Sequence, residues 1–257
     1  MTQGERRVYL IKELLNEDER YSGTAIPQTE EEQRLLLRAL FNVRMPAEAS
    51  REFLEIQDEY LNQEIKQKGI TDYKSLTPVS DGIYLWRGDI TTLKCDAVVN
   101  AANSQMLGCF CPNHNCIDNA IHTFSGVELR LKMAQIMQGR REKTGRAIIS
   151  PAYNLPSKYV IHTVGPIIIG RPSKEERALL KSCYLSCLRL ADEYKLGSIA
   201  FCCISTGEFC FPNEEACDIA VDTVNKYKAE TGSKIEVIFN VFKQRDFEIY
   251  KKRLAGN

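Results

Sequence analysis

The 257-residue chain has no apolar run approaching the ~20 residues that a membrane-spanning helix requires, so no helical span is expected. It has no basic excess either: 34 Lys and Arg stand against 34 Asp and Glu. A protein that neutralises several phosphates of a nucleic acid carries such an excess, so nucleic acid is not an expected partner. The first twenty residues lack the apolar core and small-residue cleavage site of a secretory signal, which leads to the expectation of a cytoplasmic protein. No internal repeat and no low-complexity stretch is visible. Histidine is scarce. Of only three, His114, His122 and His162, two fall in one short segment, and that alone singles the segment out.

What is present fits an ordinary globular protein, expected to be a monomer, with 44% hydrophobic and 26% charged residues. Ten cysteines might suggest disulfides. Yet Cys95, Cys183, Cys187, Cys202, Cys203 and Cys217 sit in apolar patterns, where cysteine acts as a small buried hydrophobe. A chain of this length does not need covalent staples, and reduced thiols are expected.

Residues 1–80 have helical periodicity. One segment carries Val8, Leu10, Ile11, Leu14 and Leu15. A second opens with Thr29 and Glu32, a capping-box spacing, and continues through Leu36, Leu37, Leu40 and Phe41. A third is expected to include Pro46 just inside its start and to end at Gly69. Nothing in this block carries obvious chemistry, and it reads as a helical cap on residues 81–257. From about residue 82, β-branched runs at 83–86, 97–99, 147–149, 159–164, 198–204 and 235–242 alternate with helical segments at about 117–138, 173–197 and 213–229. This alternation predicts a three-layer α/β/α fold with a mixed, mostly parallel central sheet and an N-terminal helical extension. Such sheets bind ligands beyond the carboxyl ends of their strands.

The polar segments fall at those ends. Asp89 follows Gly88 and could accept from an amino group or cap a helix; Ile90 lies beside it. Asn103 closes an Asn-Ala-Ala-Asn turn and can donate and accept towards sugar hydroxyls, or simply form an Asx turn. Ser205, Thr206, Gly207, Glu208 and Phe209 follow the fifth run and precede a helix, a natural phosphate cradle. Phe209 and Phe211 could cover a sugar or base, and Phe242, ending the last run, could stack on an aromatic ring. The most specific segment runs from Gly108 to Asn119, where Cys109, Cys111, His114 and Cys116 stand within eight residues, followed by Asp118. Thiolate and imidazole ligands suit Zn²⁺. Four ligands would make a closed structural clip; three would leave one position for water or substrate.

Taken in order, Gly-Asp-Ile-Thr at 88–91, Asn-Ala-Ala-Asn at 100–103, Asp118 through His122 and Ser-Thr-Gly at 205–207 resemble the macrodomain family, whose members bind ADP-ribose. The resemblance covers roughly residues 82–254. Where many macrodomains have a glycine-rich loop, this chain has the Cys/His segment, which is similar to the zinc-dependent subfamily of protein-ADP-ribosyl hydrolases with a helical extension. The resemblance implies Zn²⁺ on Cys109, His114 and Cys116, with Cys111 left out. It further implies adenine at Asp89, Ile90 and Phe242, the distal ribose at Asn103 and the diphosphate at residues 205–209. The implied activity is removal of mono-ADP-ribose from a modified protein, through an acidic-residue ester, with Asn103 and Asp118 catalytic. ADP-ribose is the product, and a lipoyl-carrier protein is one implied substrate. The alternatives are an ADP-ribose-binding module with a structural zinc, or an O-acetyl-ADP-ribose deacetylase.

Overall fold

Helix starts follow local hydrogen-bond chemistry. Thr2, Thr29, Ser50 and Ser173 each accept, through the side-chain oxygen, the backbone N–H three residues on, satisfying an amide that a helix N-terminus would leave free. At Thr2 and Ser173 the reciprocal glutamate closes a full capping box. At Thr29 only half of the expected box forms, because Glu32 takes the Thr29 hydroxyl proton at 2.6 Å instead of the backbone amide.

The computed structural model describes residues 1–21 and 23–256. In chain order the elements are α1 (Gln3–Asn16), α2 (Glu30–Val43), α3 (Arg51–Lys68), β1 (Thr71–Asp72), β2 (Ile83–Arg87), β3 (Leu93–Lys94), β4 (Ala97–Ala102), α4 (Ile117–Ser125), α5 (Val127–Met137), β5 (Ala147–Pro151), β6 (Tyr159–Val164), α6 (Lys174–Glu193), β7 (Ser198–Phe201), α7 (Asn213–Thr231), β8 (Glu236–Val241) and α8 (Gln244–Ala255). Six strands form one sheet in the order β2-β8-β7-β4-β6-β5. All neighbours are parallel except the edge strand β5, which runs antiparallel to β6. β4, β6, β7 and β8 are buried almost without interruption. A strand buried at successive positions has both faces covered, which gives the expected three layers. α6 packs on α7 and α7 on α8, while α4 and α5 form a second group.

α1–α3 keep an apolar cluster of their own, including Leu10, Ile11, Leu37, Leu40, Phe53 and Leu61. It reaches the remainder of the protein through Val127 and Phe124, and Ile65 of α3 belongs to the main core. Among the described residues, no helix is long and apolar enough to cross a membrane.

Three expectations need correction. Pro46 lies outside α3, in a connection whose form is held by Arg44, which donates to Ala47 O and Glu48 O; Ser50 is the actual cap. The helix expected over 117–138 breaks at Gly126, whose φ of +94° suits only glycine and against which Gln57 packs. The run at 198–204 pairs only through Phe201. α8 and the small β1–β3 pairing add to the expected elements.

Candidate functional site

The site is built where β2, β4, β7 and β8 end. From β4 the chain enters an Asx turn in which Asn103 Oδ1 accepts from Gln105 N at 2.9 Å. Asn103 Nδ2 donates to Gly108 O at 3.0 Å and towards Asp118 Oδ2 at 3.3 Å. Asp118 lies buried in the first turn of α4, and its other oxygen accepts from Asn100 Nδ2 at 2.8 Å. Burial pushes the Asp118 carboxyl up to about 6, opposed by the Asn100 hydrogen bond and the Arg130 charge.

Asn100 also reaches His162 Nδ1 at 3.1 Å, and His162 Nε2 lies 3.0 Å from Ser150 Oγ. An amide nitrogen only donates, so Nδ1 accepts and Nε2 carries the proton. Burial drops His162 to about 3, keeping it neutral. The carboxylate is thus held by a polar thread running back through the core to β5.

The metal-ligand candidates fall between β4 and α4. One ligand atom from each of Cys109, His114 and Cys116 lies within 4.8 Å of the other two. Cys111 is exposed and outside this group. Cys116 caps α4, its Sγ accepting from Asn119 N at 3.4 Å. Burial and the neighbouring Cys109 and Asp118 push the Cys116 thiol up to about 12, against the Asn119 bond. His114 Nδ1 is buried without a hydrogen-bond partner, and its Nε2 lies 3.7 Å from Glu208 Oε1. An orphaned imidazole nitrogen beside two thiols is what a cation site leaves when considered as protein alone. Tetrahedral zinc asks for donor separations of roughly 3.6–3.8 Å, so the set fits with small adjustments. His122, by contrast, packs against Gly108: a Cβ there would lie 2.7 Å from the ring. Its Nε2 stands 3.6 Å from Asp118 Oδ1, too far for a hydrogen bond.

Asp89 takes the capping role that was one of its two readings, and its other oxygen faces a lysine. Oδ1 caps the short turn Ile90–Thr92 through Thr91 N at 3.0 Å, and Oδ2 pairs with Lys68 Nζ at 3.0 Å. Burial alone would raise its carboxyl; Lys68 and Thr91 outweigh burial and hold it below the ordinary value. The Ile90 side chain is buried in the main core, leaving only its backbone for a ligand. Phe242, 76% exposed, follows β8 directly. Because Arg87 pairs with Val241 across the two strands, Asp89 and Phe242 leave the sheet side by side.

After β7, Ser205 turns with φ +65° and its buried Oγ has no partner. Thr206 Oγ1 donates to Cys203 O, while Gly207 and Glu208 are exposed and Phe209 is half-buried. α7 begins beyond them at Pro212 with no side-chain cap. Phe211, expected to cover a sugar or base, is instead 1% exposed in the core; Phe211 N donates to Ser205 O and turns the chain inward.

Asn100, His162, Ser150 and Lys68 join the site in the structure although they are not among the residues expected to work there. A signal was available for two of them: Asn100 and His162 interrupt otherwise apolar, buried strands, and buried polar side chains need partners.

The fold and strand-end site define an α/β protein with a Cys/His cluster beside a buried carboxylate. Residues 99–220 match the profile of the Macro domain family. A Treponema medium protein named "Protein-ADP-ribose hydrolase" is 54% identical, over 99% of this chain and all of its own. A Staphylococcus aureus protein (strain MSSA476) of the same name is 50% identical, over 96% and 94%. The Trypanosoma brucei macrodomain solved in complex with ADP-ribose superposes with a TM-score of 0.67 at 28% identity, over 89% of this chain and 97% of its own. The chain belongs to the Macro domain family.

Proposed function

We propose that residues 81–257 form a zinc-dependent hydrolase domain that removes mono-ADP-ribose from modified protein side chains, with residues 1–80 as its helical extension. The relatives' name supports the reaction. The observation that carries the zinc dependence is the convergence of Cys109, His114 and Cys116 beside Asp118 and Asn103. Zinc bound by these three residues supplies a Lewis acid at the ribose end of the cleft.

The chain's own groups do the remaining work. Asp89 accepts from the adenine amino group at the oxygen it shares with Lys68, and Phe242 stacks on the ring. The backbone of residues 205–209 and the uncapped start of α7 take the diphosphate. Asn103 holds the distal ribose. Asp118 orients or deprotonates the water that cleaves the linkage to the protein, its carboxylate fixed by Asn100 and Asn103. The resemblance to the zinc-dependent protein-ADP-ribosyl hydrolases favours an ester to an acidic side chain as the linkage, whose hydrolysis yields ADP-ribose and the restored carboxylate.

The test is metal analysis with a de-ADP-ribosylation assay on a mono-ADP-ribosylated protein before and after chelation, together with Cys116→Ser. Loss of ADP-ribose release on chelation, with the fold intact by circular dichroism and activity regained on adding zinc, is expected. Normal hydrolysis by folded, metal-free protein would remove zinc from the chemistry. Tight ADP-ribose binding without any turnover would make the chain a binding module.

A further inference from the structure

The loop that carries Cys109, His114 and Cys116 is held mostly from outside itself. Within residues 108–116, among the described residues, one backbone hydrogen bond forms, from His114 N to Cys111 O at 3.3 Å. Asn113 sits in the left-handed region at φ +55°. Asn103 holds Gly108 O at the loop's start and Arg130 of α5 lies 4.3 Å over the Phe110 ring; side chains of α2 and α4 hold the part from Cys111 to Cys116. Arg38, half-buried on α2, donates from Nη2 to His114 O at 3.0 Å, and from Nε and Nη2 to Asn119 Oδ1 at 3.2 and 2.9 Å. Asn119, buried on α4, passes the restraint on: its Nδ2 donates to Cys111 O at 3.0 Å and its backbone N–H to Cys116 Sγ. Asn42, buried on α2, accepts from Asn113 N at 2.9 Å and donates to Thr123 Oγ1 at 2.9 Å. Arg38 and Asn42 are four residues apart, so one face of α2 presents both.

We propose that Arg38 and Asn42 are positioning residues for the metal site, so that α2 of the N-terminal extension sets how tightly the Cys/His loop binds zinc. This rests on the zinc reading of Cys109, His114 and Cys116. A loop that is already shaped binds a metal more tightly, because it loses less conformational freedom on binding, and two of this loop's restraints come from groups about 70 to 80 residues earlier in the chain. The planar fork of arginine serves the carbonyl of His114 and the amide of Asn119 together; a lysine could keep the charge but not that geometry.

The experiment uses the full chain, stripped of metal: wild type, Arg38→Ala, Arg38→Lys, Asn42→Ala and, as control, the exposed Arg141→Ala. Zinc affinity is read by competition with a chromophoric chelator, beside thermal unfolding of each metal-free protein. Arg38→Ala and Asn42→Ala should bind zinc about 10- to 100-fold more weakly, the usual effect of removing an outer partner of metal ligands. Arg38→Lys should recover little of this, and Arg141→Ala should match wild type. Wild-type affinity in Arg38→Ala and Asn42→Ala would overturn the proposal, as would full rescue by lysine. A loss that merely tracks lowered metal-free stability would overturn it too. Should Arg38→Ala fail to fold, Arg38→Lys and Asn42→Ala decide. If wild type itself binds no zinc, the metal reading falls and takes this role with it; zinc binding that is indifferent to α2 leaves the metal reading standing.

Discussion

The thread from Asp118 through Asn100 to His162 makes a quantitative prediction about acid stability. His162 is fully buried, and burial depresses its pKa from 6.5 to about 3. The unfolded chain therefore takes up a proton at this residue as pH falls below 6.5, while the folded chain does not until about 3. Stability linked to His162 is fully present above pH 6.5 and is lost progressively as pH falls towards 3. At pH 5.0 the loss spans one and a half pH units at about 1.4 kcal/mol per unit, or about 2 kcal/mol. Other groups titrate in the same range. His122 is shifted down by burial and by His162 and Arg130, and works in the same direction. Asp118, raised by burial, works in the opposite direction, because its buried charge is relieved as pH falls through 6. A difference experiment cancels Asp118 and the larger, burial-driven part of the His122 effect. His162→Gln keeps an acceptor for Asn100 and a donor for Ser150 but cannot titrate. Urea unfolding of metal-free wild type and variant at pH 7.0 and 5.0 gives the four stabilities required. Wild type should lose about 2 kcal/mol more than the variant between the two pH values, or roughly 0.7 M in midpoint at a slope near 3 kcal/mol/M. Equal losses in the two proteins would mean that His162 is not held neutral by the fold, and the assigned tautomer would fall with it.

Three further outcomes are expected. Gly108→Ala puts a Cβ at φ +83° within 2.7 Å of the His122 ring; left-handed strain and overpacking together cost about 3 kcal/mol, so thermal unfolding should fall by roughly 6–12 °C, and an unchanged Tm would contradict the packing. Arg130→Met removes donors to the carbonyls of Leu107, Phe41 and Arg44, and three buried acceptors left unpaired should cost about 3–5 kcal/mol in denaturant unfolding; a loss below ~1 kcal/mol would show those carbonyls find other partners. Phe242→Ala removes a side chain that is 76% exposed, so Tm should hardly move, while calorimetry should show ADP-ribose binding about 5- to 100-fold more weakly, the range for loss of one base–aromatic stack; wild-type affinity would remove Phe242 from the site.

Much of the fold was legible because its signals are local. β-branched runs placed the strands, and a hydroxyl three residues before a glutamate placed the starts of α2 and α6. The Cys/His segment was legible for the same reason: ligand types that are rare in this chain crowd into eight residues. What stayed hidden depends on contacts distant in sequence. The apolar pattern runs through Gly126 without interruption, and it takes the Gln57 side chain, which accepts from Val127 N at 2.8 Å, to turn the chain there. Phe211 has the same local look as Phe209, yet one enters the core and the other stays half-buried, because Phe211 N bonds back to Ser205 O. Cys111 looks as good a ligand as Cys109; only the folded loop turns its thiol outward.

The same distinction explains why residues 1–80 read as a bland cap. A residue that performs chemistry betrays itself by its type, but a residue that positions another is an ordinary arginine or asparagine on an amphipathic helix. Arg38 and Asn42 differ from their neighbours only in what they reach, and what they reach lies some 70 to 80 residues away. Lys68, at the last turn of α3, does the same beyond β2, where its Nζ sits 3.4 Å over the Phe124 ring while pairing with Asp89. An extension that touched only the back of the domain would need nothing more than an apolar face, and α1 has one in Leu10, Ile11 and Leu14. α2 and α3 carry, in addition, polar side chains that end on the Cys/His loop and on Asp89. That difference between α1 and the two helices after it is the physical ground for treating the extension as part of the site.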